Sequence, residues 1–263
     1  MTDRLSDIAD GLIHAAREAG CIVRDRFRSA GMAVTTKSSC ADLVTEVDVA
    51  AQERITDLLS GRFPGIGIVA EEREDGRRPS EAFYVDPIDG TLNYAHGLGP
   101  CAVSIGYWVD DQPLAGVVYN PLHEDMFLGL RGRGASRNGK RIAVSPASSL
   151  DQCLLATGWP YAKEDHPRVL RALEPVLVMA QEVRVLGSAS LALCYVADGV
   201  LDGFWEWGLM PWDMAAGAVI ALEAGARITA PDGGPFHLED GAVVVTNGRV
   251  HDALLNCLRP NME

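Results

Sequence analysis

The sequence predicts a layered α+β / α/β fold, and three observations carry that reading. Residues 3–28 space their apolar side chains as one helical face, residues 101–131 break into β-type runs, and the second half alternates strand with helix. In the opening helix the apolar positions are Leu5, Ile8, Leu12, Ile13, Ala16, Ile22, Val23 and Phe27. A second helix is predicted over about 45–60, with Thr45 as its N-cap and Val49, Ile55, Leu58 and Leu59 turned inward. GIGIVA at 65–70 and AFYVD at 82–86 read as short buried strands that end at Glu71 and Asp86. CAVSIGYWV, PLAGVVYN and EDMFLGLR, separated by Asp, Pro and Asn turns, predict an antiparallel meander, and Asn138-Gly139 predicts a hairpin after it. The SPASSL stretch at 145–150 is the expected boundary between an α+β part (1–147) and an α/β part (148–263). Beyond it, LLATG, VRVLG, LDGFWEW and AVVVTN are read as strands. Residues 166–181, SASLALCYVADG and PWDMAAGAVIALEAG are read as helices, with another closing the chain.

Composition narrows the function. A net charge of −13 argues against a nucleic-acid binder, which needs a basic surface, but not against a small anion held through cations. The six cysteines form no CxxC pair and lie away from histidines, so they are expected to be buried free thiols in a reducing cytoplasm. No signal peptide is expected from MTDRLSDIADGLIHAA, and no apolar run reaches the roughly 20 residues that span a bilayer.

The chemistry concentrates in carboxylates. Asp86-Pro87-Ile88-Asp89-Gly90-Thr91 sends two acids from an apolar strand into what reads as a Pro/Gly turn, with a helix start at Thr91. Two carboxylates so close repel unless a cation lies between them. Oxygen ligands without Cys or His select Mg2+ or Mn2+ over zinc. The amides of Gly90 and Thr91 suit a phosphate oxygen. Glu71 and Glu72 stand at another strand end, and Asp213 lies in the first turn of an apolar helix, where it is either a surface charge balancing the dipole or a ligand facing a cleft. Asp42, Asp48 and Lys37 taken singly read as solvated or capping groups. Haloacid-dehalogenase phosphatases also use a strand-borne DxDGT-like motif. Here, however, two residues rather than one separate the aspartates, and the motif lies a third of the way along the chain.

Together these segments resemble the inositol monophosphatase family. The matching pieces are Lys37, Asp42-Leu-Val-Thr-Glu-Val-Asp48, Ala70-Glu71-Glu72, Asp86 through Tyr94, Gly187-Ser188-Ala189-Ser190, Glu206 and Trp212 through Gly217, in that order across nearly the whole chain. The resemblance implies an αβαβα sandwich with the active site between its halves, Mg2+ dependence, lithium inhibition and a homodimer. By position, Glu71, Asp86 and the Ile88 carbonyl would hold one metal. Asp86, Asp89 and Asp213 would hold a second, and Glu71 with waters a weaker third. Thr91 and Asp48 would position the attacking water, with Glu71 counted beside them as catalytic. Gly90 and Thr91 would bind phosphate, and Asp89, Gly187, Ser188, Ala189, Glu206 and Asp213 would line a polyol pocket. Lys37 would belong to a loop closing over the metals.

Inositol monophosphate is the expected substrate, since Glu206 stands seven residues before Asp213 as in inositol-type relatives. Histidinol phosphate, fructose 1,6-bisphosphate and 3′-phosphoadenosine phosphates are the family's other substrates, and Arg184 or Lys163 would suit a second phosphate. A partner-binding role in transcription or RNA maturation is the rival from another class, and simple cation binding a third. Alanine at position 70, where many relatives have glycine, and Arg73 set the third metal site apart.

Overall fold

The N-terminal helix α1 (Arg4–Arg26) lies against α2 (Glu46–Arg62), and together they cover one face of a large sheet. This computed structural model describes residues 3–29, 33–37, 42–73, 76 and 78–258. Before α2 a short ribbon pairs β1 (Val34–Thr36) with β2 (Leu43–Thr45). Thr45 does cap α2: its hydroxyl accepts from the amides of Val47 and Asp48, and the Asp48 carboxylate accepts from the Thr45 amide in return. The inward face of α2 differs from the expected one. Val49 is exposed, while Val47, Ala51, Ile55 and Leu59 are buried: these four recur every four residues along one face, and Val49 lies two residues on from Val47, on the far side of the helix.

The large sheet orders β3 (Gly67–Ala70), β4 (Glu81–Asp89), β5 (Ala102–Val109), β6 (Gln112–Asn120), β7 (Asp125–Leu130), β8 (Gly134–Arg137) and β9 (Lys140–Ile142). It is antiparallel apart from the β3–β4 pair. Helix α3 (Thr91–Ala95) follows β4 directly. Beyond residue 142 a second sheet is built from β10 (Leu154–Thr157), β11 (Glu182–Val185), β12 (Gly203–Trp207), β13 (Arg227–Thr229) and β14 (Ala242–Thr246) in the order β11-β10-β12-β14-β13. The helices between are α4 (His166–Met179), α5 (Ala189–Ala197), α6 (Pro211–Glu223) and α7 (His251–Leu258). β10 runs parallel to β11 and β12, but β14 runs antiparallel to both its neighbours, so this sheet is mixed. β13 is short and carries little apolar periodicity, which is why the sequence pattern passes over it.

Strand alternation sorts the side chains into layers. Phe83 and Val85 face α1 and α2, whereas Ala82 and Tyr84 join a core with α5, α6, Phe204, Val243 and Val245. Trp205, Trp207 and Val244 point the other way, onto α4 and α7. The result is the expected αβαβα sandwich, with α5 and α6 as its filling.

α6 comes unusually close to the large sheet. Gly106, Gly116 and Gly129 stand side by side on β5, β6 and β7. A methyl group on them would lie 2.7 Å from the Ala215 Cβ, 2.3 Å from the Ala216 carbonyl oxygen and 2.7 Å from the Ile220 Cα. This glycine row is a trench for the helix. The Trp108 indole fixes α6 lengthwise by donating to the Ala215 carbonyl at 3.1 Å. Asp213, in the first turn of α6, is thereby held beside the end of β4.

The thiols are more varied than expected. Cys101, Cys153 and Cys194 are buried and free, Cys257 is half-buried, and Cys21 is exposed on α1 because it falls on that helix's polar side. Cys40 lies outside the described residues.

Candidate active site

The Asp86–Thr91 segment folds differently from a simple turn. β4 continues through Pro87 and Ile88 to Asp89, with a bulge between Asp86 and Asp89 against β5. The bulge breaks strict alternation, so both acids reach the same cleft. The turn itself comes at Gly90, whose φ is +93° and whose absent side chain leaves room for the carbonyls of Gly187 and Pro100 at 2.9 and 3.0 Å from a Cβ position.

The cleft has a volume of about 510 Å3 and lies between the two sheets. Glu71, Asp86, Ile88, Asp89, Gly90, Thr91, Gly187, Ser188, Ala189, Glu206 and Asp213 all line it. Lys37 and Asp48 stand just behind that lining. The Lys37 ammonium donates to Glu71 at 2.7 Å and to Glu72 at 2.6 Å. The Thr91 hydroxyl lies 3.0 Å from an Asp48 oxygen and 2.8 Å from the Ile88 carbonyl. The rest of the loop after Lys37, residues 38–41, lies outside the described residues.

The acids differ in how they are held. Asp89 accepts from the hydroxyls of Ser188 and Ser190 and from the amides of Ala189 (3.1 Å) and Ser190 (2.8 Å), so it caps the start of α5. The Ser188 hydroxyl and Ala189 amide, expected to face a polyol, are spent on this cap. Asp48 is fully buried and accepts from Thr45 as well as Thr91. Asp213 accepts from the Met210 amide at 2.8 Å, so it caps its own helix and lines the cleft at once. Among the described residues Asp86 accepts only from the Ile88 amide, at 3.0 Å, and the neighbouring Glu71 adds negative charge rather than a donor.

Burial pushes these carboxyls upward. For Asp86 the negative charges of Glu71, Asp89 and Asp213 add to that push, and for Asp213 those of Glu71 and Asp89 do so. Glu206 is raised in the same way, by burial and then by Asp213 and Asp89. Asp89 and Asp48 are raised by burial against the pull of their hydrogen bonds. Glu72 is brought to about 7 by burial and Glu71. For Lys37 burial works against the charge, but Glu71 and Glu72 outweigh it and hold the ammonium above its usual range.

Like charges gathered out of water call for a cation. The donor set, all oxygen, fits a hard divalent ion. Among the described residues no three His, Cys, Asp or Glu side chains close into a ready metal cage. Mg2+ does not need a closed cage of side chains, since it keeps several of its own waters.

The sequence pattern gave no role to Asn93, Trp159 or Tyr161. Asn93 ties the halves together by donating to the Pro100 (2.9 Å) and Leu186 (2.8 Å) carbonyls. Trp159 and Tyr161, which follow β10, form a partly exposed aromatic rim. Lys163 also lines the cleft, whereas Arg184 is exposed and pairs with Glu182. The Gly-Trp-Pro-Tyr string at a strand end was the available signal.

Comparison with known proteins agrees with this architecture. A model of the inositol monophosphatase family matches residues 4–263. An inositol-1-monophosphatase of Synechocystis is 40% identical over 231 residues, 86% of this chain and 79% of the relative. A Nus factor SuhB of Vibrio cholerae is 36% identical over 252 residues, 95% and 94% of the two chains. The crystal structure of the extragenic suppressor protein suhB from Bartonella henselae superposes with a TM-score of 0.90 at 35% identity, covering 96% of this chain and 98% of that one. The chain therefore belongs to the inositol monophosphatase family.

Proposed function

We propose that this chain is a Mg2+-dependent phosphatase that hydrolyses inositol monophosphate by direct attack of water. The observation that carries the reading is the meeting of Glu71, Asp86, Asp89 and Asp213 in one cleft with the Asp48–Thr91 pair. Glu71, Asp86 and the Ile88 carbonyl would hold one ion, and Asp86, Asp89 and Asp213 another; Glu71 would serve a weaker third, and Mn2+ would substitute. Bound there, such ions supply positive charge that acidifies water and offsets the charge of the departing oxygen.

The protein's own groups do the rest. Thr91, giving its hydroxyl hydrogen to Asp48, turns a lone pair toward the cleft and orients the attacking water. Asp48, raised by burial, is suited to take up a proton. The amides of Gly90 and Thr91 hold the phosphate, and Glu206 accepts from the leaving group's hydroxyls. Residues 1–147 would supply most of the ligands and 148–263 would contribute Asp213 and the substrate wall. The active species is read as a cytoplasmic homodimer.

The solved structure of SaIMPase-II, titled as bound to inositol monophosphate, superposes with a TM-score of 0.82 at 26% identity, which supports the substrate choice. The test is a phosphate-release screen over inositol, histidinol, fructose and phosphoadenosine substrates, with and without Mg2+ and Li+. Inositol 1-phosphate should give the highest kcat/KM, and Li+ should inhibit. A preference for histidinol phosphate would reassign the substrate, and no release from any of them would overturn the reading. The SuhB-named relatives favour a second, partner-binding role, which a pull-down from cell lysate tests.

A further inference from the structure

Glu206 sits on a seat made by a missing side chain. β10 and β12 run parallel, with Thr157 opposite Trp205, so the next residues along, Gly158 and Glu206, stand together where both strands end at the cleft. A Cβ at position 158 would fall 2.1 Å from Cδ, Oε1 and Oε2 of Glu206 alike. Equal distances to all three atoms put that Cβ position above the plane of the carboxyl, on the side of its two oxygens, so a side chain there would collide with the carboxyl where it now rests. Glu206 itself lines the cleft. Among the described residues no protein donor bonds either oxygen, although Asp48, Asp89 and Asp213 all have theirs.

We infer that Gly158 is a positioning residue for specificity: it seats the Glu206 carboxyl so that both oxygens accept from two neighbouring hydroxyls on the group esterified to phosphate. Any larger residue at 158 turns the carboxyl off its seat and removes the paired acceptor. The favoured substrate class is thus a phosphomonoester of a vicinal diol. This rests on the phosphatase reading above, with Glu206 facing the leaving group.

The experiment compares inositol 1-phosphate, rich in vicinal hydroxyls, with p-nitrophenyl phosphate, which has none. G158A should lower the ratio of their kcat/KM values about tenfold, mainly through KM for the inositol ester. E206A should lower the ratio similarly, and the double variant G158A/E206A should be no worse than E206A, since the methyl group then has nothing to displace. Additive losses, or equal loss on both substrates, would overturn the inference. If the unmodified protein released phosphate from neither compound, the phosphatase reading would fail. The seat would then be judged by a crystal structure of G158A, where a Glu206 carboxyl still in place refutes it and a displaced one supports it.

Discussion

The two acids of the β4 bulge are three residues apart yet are held in opposite ways. Asp89 is satisfied by donors from four groups at the start of α5, whereas Asp86 has one backbone amide and a reluctant neighbour in Glu71. A carboxylate saturated by fixed donors is part of the scaffold, because its orientation is set before any ligand arrives. One left poorly satisfied and surrounded by negative charge stores unfavourable energy that a cation relieves. The cleft therefore joins a rigid arm to a strained one.

The contrast is sharpest in Asp86→Asn. Steady-state kinetics on inositol 1-phosphate should show kcat/KM down by about 1,000-fold or more, roughly 4 kcal/mol of lost stabilisation. The metal-free variant should melt no lower than the parent, and higher by about 1 kcal/mol, because a buried like charge is gone. Asp89→Asn should lose activity too, but with a lower melting temperature, as its amide nitrogen meets the donors that hold the carboxylate. Equal melting temperatures for the two variants would erase the distinction between the arms.

Thr91→Ala comes next, with kcat expected to fall about 100-fold at nearly constant KM, while Thr91→Ser keeps most activity. Gly116→Ala tests the scaffold away from the acids. Its methyl meets the Ala216 carbonyl, so denaturant unfolding should show a loss of about 2–3 kcal/mol.

The smallest effect concerns pH. His251 is fully buried between the hydroxyls of Thr229 (2.9 Å) and Thr246 (3.0 Å), and burial, with Arg227, lowers it to about 4 from 6.5. The folded state binds its proton less readily than the unfolded chain does. Its contribution is thus complete above pH 6.5 and is lost as pH falls toward 4. Melting temperatures measured over that window should decline less steeply in His251→Gln than in the parent.

Much of this was legible in the sequence because it is local. The capping box at Thr45, the paired acids before Gly90 and the acid opening α6 are all written in contiguous residues. The layers followed from helical and strand periodicities. What stayed hidden depends on partners far along the chain. Ser190 becomes a ligand of Asp89 across 101 residues, and Gly158 is meaningful only beside Glu206. Val49 was misjudged because the buried face runs through Val47 and Ala51, two residues to either side of it, which leaves Val49 on the opposite side of the helix. The strand through Pro87 escaped notice because Asp-Pro and Asp-Gly pairs usually signal turns, and here a bulge absorbs them.

The glycine row has a consequence for how the protein is made. Gly116 leaves the ribosome a hundred residues ahead of Ala216, the helix segment that fills its trench. At elongation speeds of about 5–20 residues per second that interval is roughly 5–20 s, during which a first sheet formed early would have its furrow open to water. The nascent chain thus emerges with this furrow early and its natural cover late, and yields of newly synthesised protein should depend on whatever shields the furrow in the meantime.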